Sequence, residues 1–290
     1  MKTKTNNSKN TTTTDIQAKV DFTLLFMVKD GNPNGDPNMA NQPRQDSKTR
    51  QGLVTGECLK RKIRNQMEFL GKNLFVRSGN VLNDITEELG NEKKTCKFDD
   101  IRPELCQQYD DVRFFGGVLS TGIFNGDADG QLRGPVQIGM ARSIDPIDIQ
   151  RITVTRCCVT DKKDLEKERT MGERFITPFG LYRVHGSISV PYCEKTGFSQ
   201  ADLDLFLECL TQMFENDSSS GRPEMSAVKL FVFKHKSKLG NMPWFVLDEM
   251  VKVEKKTDVV NPRKVSDYNI SLDETVRSTL VGKVDVLELL

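Results

Sequence analysis

The sequence VDFTLLFMVKDGNPNGDP, residues 20–37, contains the two features that decide the fold. Its first half is apolar at odd and even positions alike and rich in β-prone residues, a pattern typical of a central strand with both faces buried. Its second half begins a loop, residues 31–46, whose three prolines and two glycines exclude regular structure. We expect the strand to lie in the middle of a sheet and the long ordered loop to be functional.

A helix is predicted directly after this loop. Four apolar residues recur at helical spacing, Thr55 is suited to the N-cap position, and Gly71 is suited to the end of the helix. At about 100° per residue, the apolar positions fill an arc of about 80°, and three cations follow along one edge of it. The apolar positions are Leu59, Ile63, Met67 and Leu70, and the cations are Lys60, Arg61 and Arg64.

The rest of the chain combines strands and helices around two insertions. Residues 72–112 are charged and weakly patterned, which predicts an insertion. Apolar and polar residues alternate over 152–155 and 182–190, which predicts two half-buried strands, and the residues between them are too many for a hairpin turn. Residues 181–233 read as strand, helix and strand, the pattern of a right-handed βαβ crossover. The sequence therefore predicts an α+β fold from which residues 160–180 project.

The composition describes a chain that folds but has no bulk affinity for nucleic acid. Of its 290 residues, 37% are apolar and 29% are charged, and 42 Lys and Arg oppose 41 Asp and Glu, for a net charge of +1. Binding of a polyanion must therefore come from local clusters of cations. Residues 1–17 hold almost nothing apolar, and we expect them to be a disordered tail.

Neither a membrane segment nor a cysteine framework is expected. The longest apolar stretches fall far short of the roughly 20 residues that span a bilayer, and no secretory leader opens the chain, so we expect a cytoplasmic protein. Seven cysteines without a C-x-x-C pair fit neither a disulfide framework nor a zinc site, and we expect reduced, mostly buried thiols. No cofactor is expected, because the P-loop and G-x-G-x-x-G motifs are both absent.

Catalytic chemistry has few candidates in this sequence. The two histidines, His185 and His235, lie in predicted strands without a G-x-S-x-G motif, so a hydrolytic triad is not indicated. Asp30, Asp36 and Asp46 punctuate the loop after the first strand and suggest a hard cation, but their order does not fit a calcium-binding loop. Capping of turns is the favoured account, and we predict no metal site.

Two segments are suited to nucleic acid. The basic run KRKIR, residues 60–64, follows a loop whose backbone amides are able to face phosphates, and a solvated helix face is the alternative. The projecting segment holds Met171 and Phe175 among charged residues, where they would either wedge against bases or anchor the segment to its own core. Cations and amides bind phosphates without reading bases, so such a site would hold any single strand.

Longer stretches of the sequence resemble a known family. DFTLLFMVKDGNPNGDPNMANQPRQD (residues 21–46) and GLVTGECLKRKIRN (residues 52–65) resemble the start of the CRISPR-associated backbone subunits of Cascade, the Cas-seven family, in particular its type I-C (Csd/Dvulg) form. FFGGVLS, LRGPVQIGMARSIDP and RTMGERFITPFGLYRVHG follow in the order of the same family. The similarity extends over residues 18–255.

This resemblance implies a modified RNA-recognition-motif (ferredoxin-like) palm over residues 18–255, with insertions near 72–112, a thumb hairpin near 157–180, and a C-terminal extension, 256–290, that packs on the palm. It implies a non-catalytic antiviral subunit that polymerises head to tail along a CRISPR RNA beside a Cas-five-type and a large subunit, and presents the guide to target DNA. The RNA-binding residues it implies are Asn34, Thr55, Lys60, Arg61, Arg64, Gln137, Arg142, Arg169, Met171, Arg174 and Phe175.

The resemblance also brings one alternative function. A related branch, in type III complexes, cuts target RNA with an aspartate in the loop after the first strand. A metal-dependent ribonuclease that uses Asp30 or Asp36 is therefore the alternative to a scaffold. In the thumb, Glu173 departs from the more basic stretch that members of the family often have after the Met-Gly pair.

Overall fold

The computed structural model describes residues 14–95, 97–118, 124, 130–159, 161–162 and 170–290. Its helices are α1 (Gly56–Phe69), α2 (Leu82–Lys93), α3 (Phe98–Gln108), α4 (Asp110–Phe115), α5 (Val190–Thr196), α6 (Gln200–Gln212), α7 (Trp244–Met250) and α8 (Glu274–Thr279). Its strands are β1 (Val20–Gly31), β2 (Gly35–Asp36), β3 (Gln42–Pro43), β4 (Gln51–Val54), β5 (Gly116–Val118), β6 (Gln131–Arg133), β7 (Val136–Ile138), β8 (Ala141–Pro146), β9 (Gln150–Arg156), β10 (Thr170–Ile188), β11 (Glu224–His235), β12 (Val251–Lys255), β13 (Tyr268–Leu272) and β14 (Val284–Glu288). Within these ranges, no helix is long and apolar enough to cross a membrane.

One large antiparallel sheet organises these elements, so the predicted α+β class is confirmed. Its strands lie in the order β14–β11–β1–β10–β8–β4, and β7 and β9 pair with further stretches of β10. β1 runs antiparallel to both neighbours, with Leu24 opposite Val184 of β10 and Leu230 of β11. β10 and β11 therefore run parallel to each other with β1 between them, and α6 connects them as the crossover helix of the predicted strand–helix–strand unit.

Both faces of β1 are buried, as its apolar sequence predicts. Phe22 and Phe26 lie in a core shared with α1 and α6, and Phe26 stacks on Tyr182 of β10 with ring centroids 5.3 Å apart. Leu25 lies on the other face, in a second core that includes Leu247 of α7. Burial of a large apolar side chain contributes about 1.5–3 kcal/mol, so β1 anchors two layers at once. The first of these layers positions α1.

The predicted insertion at 72–112 folds into α2, α3 and α4 around a small core of its own. Phe75, Phe98 and Ile101 are buried in that core. The insertion ends at Gly116, the first residue of β5, where φ is 69° and an added Cβ would lie 2.0 Å from the Leu132 carbonyl oxygen of β6. Only glycine fits this turn without strain. The turn fixes the position of α4 and, with it, the carboxylate that reaches α1.

The projecting segment is a two-stranded ribbon, hereafter the arm, formed by β9 and residues 170–176 of β10. Ile176 lies opposite Gln150, so the arm begins near residue 150 rather than near 157 as predicted. β9 is not the half-buried strand that its alternation predicts, since Ile152 and Val154 are 39% and 42% exposed. The reason is that β9 pairs with β10 beyond the main sheet, where the described chain adds no covering layer.

Both ends of the described chain pack on the sheet. The predicted disordered tail includes residues 14–17, yet Ile16 is buried and the Thr14 hydroxyl donates to the Phe198 carbonyl oxygen (2.5 Å). A single isoleucine among polar residues makes no pattern, which is why the sequence did not predict this contact; residues 1–13 lie outside the described ranges. At the other end, β14 pairs with β11, and Val284 is buried in the second core.

Candidate nucleic-acid interface

The start of α1 is held by the loop that follows β1. Thr55 is the N-cap, as predicted, and its hydroxyl accepts a hydrogen bond from the Cys58 amide (3.2 Å). The Thr55 amide donates to the side-chain oxygen of Asn34 (3.0 Å), and the Cys58 thiol donates to the Pro33 carbonyl oxygen (3.5 Å). The loop and the first turn of α1 therefore form one unit, at the helix end that carries partial positive charge.

Asp36 caps a turn within this loop. Its carboxylate accepts from the Asn38 amide (3.0 Å) and lies 3.4 Å from the Arg44 guanidinium. Asp30 lies at the end of β1 with φ of 49° and an exposed side chain. Among the residues that the structure describes, no three His, Cys, Asp or Glu side chains lie close enough together to hold a metal ion. The Asp36 side chain therefore caps a turn, which is the role that the sequence favoured for it.

Asp46 closes the next turn and engages one of the predicted RNA-binding cations. Its carboxylate accepts hydrogen bonds from the amides of Thr49 (3.0 Å) and Lys48 (2.9 Å) and from Arg142 of β8 (3.1 Å). These hydrogen bonds, with that from Thr49 the largest, lower the pKa of Asp46 to about 2. The Arg142 side chain remains 50% exposed, so part of its guanidinium still faces solvent.

Lys60 and Arg64 both turn toward the insertion. The Arg64 Nε donates to Asp111 of α4 (2.7 Å), a fully buried carboxylate that also accepts from two backbone amides of the insertion. The Arg64 guanidinium lies 4.9 Å, and the Lys60 ammonium 5.5 Å, from the centroid of the Phe115 ring. Burial lowers the pKa of Lys60. Arg64 thus joins α1 to the insertion, and its guanidinium is not the open phosphate-facing group that the sequence suggested.

A polar groove lies beside the first turns of α1. Lys62 is buried and pairs with Asp217 of the loop before β11. Asp217 also accepts from the side-chain Nδ2 of Asn65 (2.8 Å) and lies 3.6 Å from Arg222, so these contacts hold that loop against α1. Arg61 is exposed on the same side of the helix. The residues that line this α1 groove are Asn34, Thr55, Glu57, Cys58, Arg61, Lys62, Asn65, Asp217 and Arg222.

The α1 groove brings together three predicted residues and two that the sequence analysis missed. The missed residues are Lys62 and Arg222. Lys62 lies three residues after the buried Leu59, so helical periodicity already placed it on the inner side of α1. Arg222 lies in the turn SSSGRP, residues 218–223, and gave no signal because α1 is its neighbour in space but not in sequence. The predicted residues in the groove are Asn34, Thr55 and Arg61.

The arm exposes apolar side chains on both of its faces. Met171 is 76% exposed, which excludes the alternative that it anchors the arm to a core. Phe175 is half-buried and shares a face with Met171, because residues four apart in a strand point the same way. Val154 lies opposite Gly172 and therefore on the other face. Within the described residues, these apolar side chains are therefore at least partly exposed to solvent, unlike the side chains of the core.

The last three predicted residues lie in different places. Arg174 donates to the carbonyl and the hydroxyl of Ser220 (3.3 Å to the latter), which ties the arm to the loop that lines the α1 groove. Gln137 of β7 donates to the Gly134 carbonyl oxygen (2.9 Å). Arg169 lies outside the described residues. The structure therefore connects Arg174 to the groove through one loop and leaves Gln137 on the edge of the sheet.

Comparison with known proteins matches this fold and sequence to one family. The sequence profile of CRISPR-associated protein Cas7 matches residues 18–273. A relative from Haloferax volcanii described as "CRISPR-associated protein Cas7" is 24% identical over 221 residues, 68% of this chain and 65% of the relative. The chain therefore aligns with somewhat less than two thirds of that relative's length.

Two solved structures share the fold. One, described as "CRISPR RNA-guided surveillance complex", covers 93% of this chain and 87% of its own at 13% identity and a TM-score of 0.51. Another, described as "CRISPR RNA-guided surveillance complex, pre-nicking", covers 74% and 78% at 12% identity and a TM-score of 0.50. Since the family profile spans most of the sequence, the chain belongs to the family of CRISPR-associated protein Cas7.

Proposed function

We propose that this chain is a backbone subunit of a type I-C CRISPR RNA-guided surveillance complex, and that it binds the guide RNA without cutting it. Membership of the family and the likeness to solved structures described as such complexes support the class of assembly. The observation that carries the proposal is the exposed arm, tied by Arg174 to the loop of the α1 groove. Exposed apolar side chains in such a position call for a ligand or a neighbour to cover them.

The strand order supports an RNA-recognition-motif palm. The sheet contains the order β11–β1–β10–β8, with α1 between β1 and β8 along the chain and α6 between β10 and β11. A βαββαβ chain whose fourth strand lies beside its first has the arrangement of ferredoxin-like domains. We infer that α1 and α6 are the two helices of this palm, and that 72–112 and the arm are insertions into it.

The α1 groove is suited to the phosphates of a guide strand. Arg61 and Arg222 present guanidinium donors, and the first turn of α1 adds the positive end of the helix dipole. Contacts of this kind position a strand without reading its bases, so every guide would be held alike. We assign the main phosphate contacts to Arg61 and Arg222, and a positioning role to Arg64, which acts through Asp111.

The other predicted contacts belong to the same proposal. Met171 and Phe175 on the arm would wedge against bases, since unstacked bases bind apolar and aromatic surfaces regardless of sequence. The polar contacts would come from side chains on α1, on the sheet and along the arm. These side chains are Asn34, Thr55, Lys60, Gln137, Arg142, Arg169 and Arg174.

The proposal includes the form of the assembly. Copies would add head to tail along the guide in the cytoplasm, and because such a contact does not close on itself, a Cas-five-type and a large subunit would limit the filament. Target DNA would be read by base pairing with the guide, as in RNA-guided systems generally. Oligomers whose size grows with the length of the RNA are expected, and one copy per RNA of any length would contradict this.

Replacement of the two groove arginines tests the phosphate assignment. Arg61→Gln combined with Arg222→Gln should weaken binding of all guide sequences alike. The slope of log K against log salt should fall by about 0.7 for each phosphate that is no longer bound, or about 1.4 for two. Lys283→Gln is the control, because Lys283 is exposed beside the second core, away from the groove. Equal slopes for the double variant and the control would reject the groove as the phosphate site.

A cleavage assay tests the alternative function. We infer that Asp30 and Asp36 do not form a nuclease centre, since Asp36 is engaged by a turn and Arg44. The purified protein, loaded with guide RNA, is incubated with labelled complementary RNA and Mg²⁺. Intact target is the expected result. Cuts at a regular spacing that Asp30→Asn or Asp36→Asn abolishes, but that remain in the Lys283→Gln control, would show that the protein is an enzyme rather than a scaffold.

A further inference from the structure

The described cysteines fall into two chemical groups. Burial raises the pKa of Cys106 to about 11 and the pKa values of Cys193 and Cys209 to about 12. It also raises the pKa of the half-buried Cys58. A pKa moved from 9.0 to about 11 leaves a thiol with about 100-fold less thiolate than usual, and the thiolate is the form that reacts. These four thiols are therefore structural.

Cys157 and Cys158 form the second group and are the exceptions, among the described cysteines, to the expectation that the thiols are mostly buried. Both side chains are exposed. They follow directly on β9, beyond Arg156, which is the last residue of that strand to pair with β10. The thiols thus lie at the outer part of the arm, past the end of its hydrogen-bonded ladder. Oxidants in solution reach them without any opening of the fold.

We propose that Cys157 and Cys158 form a reversible thiol-modification site on the arm, which takes up a low-molecular-weight thiol as a mixed disulfide. The co-reactant is a small disulfide such as oxidised glutathione. The thiolate of one cysteine attacks a sulfur of that disulfide, so that one S–S bond forms as another breaks. The released half leaves as a thiolate and takes up the proton that the cysteine gave up. Reduction by a small dithiol reverses the step.

The adjacency of the two cysteines favours a mixed disulfide over an internal one. Consecutive Cα atoms across a trans peptide are about 3.8 Å apart. A relaxed disulfide needs about 4.4–6.8 Å between the Cα atoms of its cysteines. A bond between Cys157 and Cys158 would therefore be strained and easily reduced. The mixed disulfide on one of the two cysteines is therefore the favoured product, and an external dithiol returns that cysteine to its reduced form.

The consequence of the modification rests on the proposed function. A glutathionyl group adds bulk and a net negative charge at the outer end of the arm. If the arm meets guide RNA, that charge repels phosphate and the bulk prevents close approach. Oxidation would then weaken loading of the guide, and reduction would restore it. The modification itself depends on thiol exposure alone, so the two claims are separable by experiment.

Mass spectrometry of the full-length protein tests the modification. Two proteins are compared, one with Cys157 and Cys158 and one in which both are replaced by serine. Because Cys96 lies outside the described residues, both proteins also carry Cys96→Ser. The protein is incubated with oxidised glutathione, and peptides are mapped without reduction. One glutathionyl group is expected on Cys157 or Cys158, and none on the three buried cysteines. Over the same incubation, the Cys157→Ser/Cys158→Ser variant should take up no glutathionyl group. Equal uptake by this variant, or removal of two hydrogens without an adduct, would overturn the proposal.

RNA binding of the same samples tests the consequence. Treated protein should bind guide RNA several-fold more weakly than untreated protein, and a small dithiol should restore the affinity. The double serine variant should bind equally with and without treatment, since serine keeps the size and polarity of the exposed positions. Labelling without any change in RNA affinity would overturn the regulatory claim. An untreated protein that binds no RNA would instead reject the proposed function and leave the labelling result standing.

Discussion

Replacement of Arg64 by alanine is expected to lower the free energy of unfolding by about 3 kcal/mol. The partner carboxylate, Asp111, is fully buried, the Arg64 side chain is only 12% exposed, and the two groups are 2.7 Å apart. Removal of one partner of a buried ion pair costs about 3–5 kcal/mol, because the other charge stays in the interior. The lower end applies here, since two backbone amides still donate to Asp111 in the variant.

Urea denaturation measures this destabilisation directly. With an m-value of about 3 kcal/mol per molar, the midpoint should fall by about 1 M at unchanged slope. Arg64→Met keeps an aliphatic stem on the Phe115 ring but no charge, so it should be nearly as destabilising as alanine, whereas Arg64→Lys should retain part of the stability. Arg61→Ala, an exposed position on the same helix, should change stability by less than about 0.5 kcal/mol. A wild-type midpoint for Arg64→Met would refute the reasoning.

Three further changes test other parts of the fold. Gly116→Ala should lower Tm more than Gly79→Ala, because both glycines have positive φ but only Gly116 would bring a Cβ to 2.0 Å from the Leu132 carbonyl oxygen; equal decreases would contradict this. The pKa of Asp46 is depressed to about 2 in the folded state, so its stabilisation is present above its ordinary pKa of 3.8 and is lost as pH falls toward 2. The difference in unfolding free energy between the wild type and Asp46→Asn should therefore shrink as the pH falls from 3.8 toward 2, and a constant difference would contradict this prediction. Ser199→Ala removes the N-cap of α6 and should cost about 1 kcal/mol in thermal or urea unfolding, whereas Ser199→Thr should cost much less.

Short-range patterns predicted the elements that depend on neighbours in sequence. The unbroken apolar run of β1 indicated a strand with two buried faces, and Thr55 was identified as the N-cap of α1 because a cap and its acceptor are local. Leu59, Ile63 and Met67 are buried as the helical period requires. Leu70 was placed in the same stripe but is 40% exposed, because α1 ends one residue before it and the period no longer applies.

Long-range pairings were not predictable from the sequence. Arg64 and Lys62 were grouped with their neighbours as one basic run, but their acidic partners lie 47 and 155 residues away along the chain. Nothing in the pattern of α1 distinguishes a cation with a distant carboxylate from one that faces solvent. The exposure of β9 has a similar origin, since alternation reports a strand but not whether a layer covers it. Whether a cation is paired and whether a strand is covered both depend on contacts that form only in the folded chain.

The division of the basic run on α1 changes where a polyanion would bind. Lys62 and Arg64 are committed to ion pairs with Asp217 and Asp111, and Lys60 lies over an aromatic ring, which leaves Arg61 as the exposed cation of the four. A chain of net charge +1 holds RNA only if exposed cations converge. The ion pair of Lys62 with Asp217 achieves this indirectly, because it holds the loop that brings Arg222 beside Arg61. In the proposed function, the buried cations of α1 would therefore serve the phosphate site by positioning other segments rather than by contact.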